Sequence, residues 1–147
     1  MVNVSEAVMG HMKERRYGKI VNIASIAARY GNVDIPHYNA SKAAVVSWTQ
    51  SNALQLAPFD INVNAICPGV LWTPMFERIA EKRARFNTDP DFEGLKGREF
   101  FEEMVESWIP MKREQTPEDI GKIAAFLASD DARNITGQPS TSMAADA

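Results

Sequence analysis

Two short apolar runs, rich in β-branched residues and held apart by a long alanine-rich stretch, constrain this chain's fold more than any other feature. One is Lys19-Ile20-Val21-Asn22-Ile23-Ala24. The other is Ile61-Asn62-Val63-Asn64-Ala65-Ile66-Cys67, closed by the turn pair Pro68-Gly69. Runs of this kind suit strands buried on both faces, as in a parallel sheet covered by helices. Parallel neighbours need a crossover of a dozen or more residues, and His37 to about Ala57, ending before Pro58, supplies a helix of that kind. Upstream, Ser5 to Arg16 places Val8 and Met12 four apart with Val4 before them. That is a helical stripe, and Gly18 is its expected stop. Helix, strand, helix, strand is the βαβ signature of an α/β fold.

The remainder reads differently. Ser25 to Pro36 is loop-like, with Gly31, Asn32 and Asp34 breaking any period. From Pro74 to about Pro110 the chain is charged and aromatic by turns (Phe76, Phe86, Phe92, Phe100, Phe101, Trp108), with breaks at Pro90, Gly94 and Gly97. Two or three short helices over a cleft fit this better than a core element. Thr116-Pro117-Glu118-Asp119 then opens another helix, with Thr as N-cap, Pro at the first position and acids in the first turn. Its apolar stripe is Ile120, Ile123, Ala124 and Leu127.

At 147 residues the chain suffices for one domain with one modest core, and 45% hydrophobic against 24% charged residues is an ordinary globular balance. The net charge of −3 is interleaved along the sequence. A nucleic-acid surface needs clustered Lys and Arg, and the nearest approach, Lys13, Arg15, Arg16 and Lys19, reads as a solvated last helical turn. No 18-residue apolar run and no signal-peptide layout occur, so the expectation is a cytoplasmic protein without membrane partners. Cys67 is the only cysteine and forms no intramolecular disulfide. It reads as a small buried hydrophobe, with a nucleophilic role as the alternative. His11 and His37 are too dispersed for a metal site.

Chemistry concentrates in Tyr38-Asn39-Ala40-Ser41-Lys42. Tyr and Lys at i and i+4 share one helix face, within reach of one bound molecule. A phenol titrates near 10, and a neighbouring ammonium favours the phenolate and lowers that value. A hydroxyl so tuned gives a proton to a carbonyl or takes one from an alcohol. Asn39, Ser41 and His37 are assigned no chemistry. The bare pattern is weak, because a solvated Tyr beside an extended Lys is common in helices.

Context makes it specific. Asn22-Ile23-Ala24-Ser25 closes the first strand, and Ser25 precedes Tyr38 by thirteen residues. The helix continues through Ala43-Ala44-Val45-Val46 to Leu54-Gln55-Leu56-Ala57. The second strand runs into Pro68-Gly69-Val70-Leu71-Trp72-Thr73-Pro74-Met75, and Thr116-Pro117-Glu118-Asp119-Ile120, Phe126-Leu127-Ala128-Ser129 and Ile135-Thr136-Gly137-Gln138 close the pattern. From Val4 to Gln138 the chain resembles the short-chain dehydrogenase/reductase family.

The resemblance implies a three-layer, Rossmann-like α/β fold, here the second half of a doubly wound parallel sheet. Residues 4–73 form the catalytic core, 74–110 a substrate lid, 116–138 the closing helix and turn, and 139–147 a tail. It implies hydride transfer between NAD or NADP and a secondary alcohol or carbonyl. Tyr38 is then the general acid/base. Lys42 holds the nicotinamide ribose, and Ser25 positions the substrate oxygen. Pro68, Gly69, Val70 and Thr73 line the nicotinamide end, with Tyr38 and Lys42 also touching the cofactor. Two residues keep a structural alternative: Ser25 as a strand-end cap and Thr73 as a turn residue before Pro74. The lid aromatics meet a partly apolar substrate or form the lid's own core. The family pairs its long helices across subunits, so a homo-oligomer, dimer or tetramer, is implied.

The chain departs from the family at both ends. Its eight glycines are scattered, and none forms the loop that lets backbone approach a pyrophosphate. Roughly 120 residues, four βα units of about 30 each, are expected to be missing, with Met1 an internal methionine or a misassigned start. This predicts a chain inactive by itself, or a non-catalytic oligomerisation partner of full-length relatives. After Gln138 the residues are small and polar, which makes a last strand doubtful.

Overall fold

A computed structural model of the chain describes residues 1–31, 35–86 and 89–141. The elements run α1 (Val2–Arg15), β1 (Gly18–Ile23), α2 (Pro36–Leu56), β2 (Ile61–Cys67), α3 (Pro74–Phe86), α4 (Gly97–Trp108), α5 (Pro117–Ala128) and β3 (Pro139–Thr141). Single 3₁₀ turns fall at Ile26–Ala28, Ala57–Phe59, Pro90–Phe92 and Asp130–Ala132. The chain divides into two compact units. Of the described residues, the first joins Met1–Pro68 to 120–141, and the second is Gly69–Asp119; 142–147 lie outside the described residues.

The first unit is built on a parallel sheet of order β1-β2-β3. Its centre, β2, is buried along its whole length, the condition that the continuous apolar run anticipates. Side chains alternate across it. Ile61 and Val63 pack with Met9, Ile20, Ala53 and Leu56, and Ala65 and Cys67 pack with Ala24, Val45 and Val46. On the opposite face Ile66 meets Leu127 and Ala132, flanked by Val21, Ile120, Ile123, Ala124 and Ile135. Three layers result: α1 and α2, the sheet, and α5. The stripe expected on α5 is the one that packs.

Polar residues of β2 have a separate task. Asn62 Nδ2 donates to the Arg133 and Ile135 carbonyls at 2.9 and 3.0 Å, and Asn64 Nδ2 donates to Ile135 O at 2.8 Å. Asn64 Oδ1 accepts from Gln138 N and Thr136 Oγ1 from Val63 N. These side chains satisfy a non-strand segment that a ladder would otherwise pair. They deliver the chain to β3, which pairs Ala65, Ile66 and Cys67 with Pro139, Ser140 and Thr141. The last strand, doubtful from its small polar residues, therefore exists, held by β2 rather than by its own β-propensity.

Two local readings of the first helix need correction. Gly18 does not stop α1; it opens β1. The left-handed residue after the helix is Arg16, at φ 49°, while Gly18 is required because a Cβ there would lie 2.6 Å from Met12 Sδ and 3.1 Å from Met12 Cβ. The α1 stripe holds only at Met12. Ser5 and Met9 are buried and Met12 packs on the core, whereas Val4 is 70% exposed and Val8 is exposed too. Helical spacing makes a stripe visible but does not say which side the sheet occupies.

In the second unit, α3 and α4 pack together. Phe101 is edge-on to Trp72 and Phe76, each at 5.2 Å between ring centroids, and Phe92 lies 4.8 Å from Phe100 and 5.9 Å from Trp108. Phe92, Phe100 and Phe101 are buried. Of the aromatics named from the sequence, Phe76, Phe92, Phe100, Phe101 and Trp108 thus make ring contacts within the segment's own core, while Phe86 is 76% exposed. Arg98 closes it, lying over the Trp72 and Phe101 rings and pairing with Glu114 at 2.9 Å and Glu102 at 2.8 Å.

Candidate active site

The carboxyl ends of β1 and β2 carry the site in the first unit. Ser25 follows β1 directly and is held from both sides: Ala24 N donates to Ile66 O at 2.7 Å, and Ile26 N donates to Pro68 O at 2.9 Å. That pins extended backbone at Ser25 and fixes its side chain, 7% exposed. Ser25 Oγ accepts from Ala27 N at 3.2 Å, so the strand-end capping role is real. An acceptor bond leaves the hydroxyl proton to donate elsewhere. Pro68, expected on the cofactor side, anchors this turn through its carbonyl.

Tyr38 and Lys42 lie on the first two turns of α2. Pro36 opens the helix, where its missing N–H costs nothing. Lys42 Nζ donates to Ile23 O at 3.1 Å, tying the helix to the end of β1 two residues before Ser25. The same ammonium stands 5.6 Å from the Tyr38 ring centroid. The Tyr38 hydroxyl has no hydrogen-bond partner among the described residues. Deeper in α2, buried Thr49 bridges to β1: its Oγ1 accepts from Asn22 Nδ2 at 2.9 Å and donates to Val45 O at 2.8 Å. Asn39, assigned no chemistry, proves to be a tie, donating from Nδ2 to Tyr30 O at 2.7 Å. His11 and His37 are exposed.

Cys67 is buried beside this turn. Burial pushes its thiol above the usual thiol range; the charge of Arg29, a backbone hydrogen bond at Ser25 and the charge of Lys42 oppose that only in part. A protonated, enclosed thiol is a packing residue and not a nucleophile. Arg29 Nη1 donates to Thr141 Oγ1 at 2.8 Å, joining the Ser25 turn to β3.

Gly69, Val70 and Thr73 belong to the second unit. Gly69 N donates to Gln115 Oε1 at 2.9 Å, and Leu71 forms an isolated parallel bridge with Gln115. Thr73 caps α3: its Oγ1 accepts from Phe76 N at 3.2 Å and its carbonyl accepts from Glu77 N at 2.8 Å. Its turn role is thus observed, with the hydroxyl proton still able to donate. Sequence reasoning missed Gln115, Asn22 and Thr49. Nothing in their spacing singles them out, because each acts across a long sequence separation.

A buried serine on a strand end, with a Tyr–Lys pair on the helix that follows, stands at the carboxyl end of a Rossmann-like parallel sheet. The family model described as enoyl-(acyl carrier protein) reductase matches residues 1–142, and the chain belongs to the short-chain dehydrogenase/reductase family. It is 38% identical over 136 residues to the 3-oxoacyl-(acyl-carrier-protein) reductase of Thermotoga maritima, covering 92% of this chain and 48% of that protein. Its fold matches a crystal structure of NAD⁺-bound xylitol dehydrogenase with a TM-score of 0.82 at 34% identity, covering 95% of this chain and 53% of that one. An actinorhodin polyketide ketoreductase crystallised with NADPH matches with a TM-score of 0.78 at 34% identity, covering 91% and 49%. The chain spans about half the length of the curated relatives it matches. Among the described residues, no helix is long and apolar enough to cross a membrane.

Proposed function

We propose that the chain carries the proton-transfer half of an NAD(P)-dependent dehydrogenase/reductase acting on a small alcohol or carbonyl compound. The carrying observation is the Lys42 ammonium, anchored on Ile23 O and standing over the Tyr38 ring. Relatives of this fold with NAD⁺ or NADPH bound support either cofactor. The residues suit such a group: the Tyr38 hydroxyl is unpartnered among the described residues, and Lys42 has donors beyond the one given to Ile23. The nicotinamide ring, when bound, supplies or accepts the hydride.

Each side chain then has one task. Tyr38 donates its proton to the substrate oxygen during reduction and receives it during oxidation. Lys42 donates to the ribose hydroxyls and sets a positive charge beside the phenol. Ser25 donates its free hydroxyl proton to the substrate oxygen and fixes its direction. Pro68, Gly69, Val70 and Thr73 line the nicotinamide end. With no glycine-rich phosphate loop in these 147 residues, the chain by itself is proposed to be inactive. A cytoplasmic setting fits its single, buried thiol.

The test is to join the chain to the N-terminal half of a relative and follow oxidation of NADH and NADPH with a panel of ketones. Turnover with at least one ketone is expected. No turnover from a folded, cofactor-binding fusion would contradict the reading.

A second reading, self-association, rests on the outer side of the α1–α2 layer. Val4 and Val8 on α1 and Leu54 on α2, the last 81% exposed, stand there with the small exposed residues Ala40, Ala43, Ala44, Ser47 and Ser51. Such a face covers itself by pairing with a second copy as a dimer or tetramer.

A further inference from the structure

Gln115 stands just before the cap of α5 and is not among the residues the family resemblance assigns a role. We infer that Gln115 is a positioning residue for the cofactor: it holds the Gly69–Thr73 segment so that the Val70 N–H is left to receive the carboxamide of a nicotinamide. This inference rests on the functional reading above.

The segment is pinned at both ends. At one end Gln115 Oε1 accepts from Gly69 N at 2.9 Å, and its own backbone bridges to Leu71. At the other, Thr73 caps α3 through both its hydroxyl and its carbonyl. Gln115 is itself fixed, because the next residue starts a reciprocal cap: Thr116 N and Oγ1 donate to Asp119 Oδ2, and Asp119 N donates to Thr116 Oγ1. Between the pins, the Val70 N–H has no hydrogen-bond partner among the described residues, although Val70 is only partly exposed.

An amide proton without a partner, on a partly buried residue, is unfavourable unless a ligand or water meets it. A carboxamide oxygen is an acceptor of the right kind. Gln115 takes up the neighbouring Gly69 N–H, so that Val70, and not Gly69, is the amide left to donate. Without the Oε1 acceptor, Gly69 N–H would compete for the same ligand and the segment would lose one pin.

The experiment uses the 147-residue chain labelled with ¹⁵N and reduced nicotinamide mononucleotide as the probe. This probe carries the carboxamide and ribose but makes no demand on a pyrophosphate loop. In the parent, the Gly69 amide should exchange slowly and the Val70 amide should shift saturably with the probe. Gln115→Met keeps length and volume but removes the acceptor. It should speed Gly69 exchange and weaken the probe by about 10-fold, the scale of one hydrogen bond. Gln115→Glu retains an acceptor at the same reach and should stay within about threefold of the parent.

Equal binding by Gln115→Met and the parent would overturn the inference, and so would equal losses in both variants, which would mean packing alone. A fast-exchanging Gly69 amide in the parent would overturn it without any variant having to fold. If the parent's Val70 amide ignores the probe, the cofactor reading of this segment fails, and the inference fails with it.

Discussion

Asn22 and Thr49 share a buried hydrogen bond, Nδ2 to Oγ1 at 2.9 Å, between the penultimate residue of β1 and the fourth turn of α2. It sets the height of the helix against the strand. Lys42, two turns earlier, then meets the Ile23 carbonyl, and Tyr38 comes to the same end of the sheet as Ser25. The proposed catalytic arrangement is thus held by a polar pair inside the helix–sheet interface.

Breaking that pair should be costly. Thr49→Val keeps the shape but strands the Asn22 amide, for a loss of about 1–3 kcal/mol. Thr49→Ser keeps the oxygen and should lose less. Urea denaturation of the three proteins measures the difference, and a Thr49→Val as stable as the parent would show that the bond sets nothing.

Cys67 gives a prediction with a definite pH sign. Its thiol is raised by burial, so between the ordinary thiol value of about 8.5 and the higher folded one, the unfolded chain gives up a proton that the folded chain keeps. Stability therefore falls as pH rises above about 8.5. Cys67→Ala should flatten that fall, whatever it costs at neutral pH. Ellman's reagent should react slowly with the folded chain at pH 8 and quickly in guanidinium; fast reaction under native conditions would contradict the burial.

Gly18→Ala should destabilise by about 1–3 kcal/mol, the scale of overpacking. The new Cβ would overlap Met12 Sδ and crowd Met12 Cγ and Cβ, so moving the tip of the side chain alone does not clear it. Pairing Gly18→Ala with Met12→Ala should recover part of the loss in thermal melts. No recovery would place the cost in the backbone instead.

These residues show where sequence was informative. The βαβ order was legible, and Ser25, Tyr38 and Lys42 stood out as candidates, because strand runs, helix spacing and a dense motif are local patterns. The buried face of α1 was legible only at Met12, since Val4–Val8–Met12 and Ser5–Met9–Met12 both recur at helical spacing and only the position of β1 decides between them. β3 was misjudged because Asn62 and Asn64, about 70 residues earlier, hold the segment that leads into it, and its ladder is made with Ala65, Ile66 and Cys67. The roles of Gln115 and Thr49 arise from contacts at long sequence separation, which no periodicity records.

Cofactor affinity should follow the same division. The 147-residue chain should bind NADH and NADPH only weakly, because no glycine-rich loop is present to meet the pyrophosphate. Calorimetric titration checks it; a micromolar dissociation constant would reveal a phosphate site elsewhere in the chain.

The most direct test of the central claim is Tyr38→Phe in the chain joined to a relative's N-terminal half, measured by steady-state turnover beside cofactor titration. Turnover should fall by about 100- to 10,000-fold, the range for losing a general acid/base, while cofactor affinity stays near the parent's because the ring remains. Lys42→Ala should lose both. If Tyr38→Phe kept most of the parent's turnover, Tyr38 would not be the proton donor, and the Tyr–Lys pair would be a structural feature of α2.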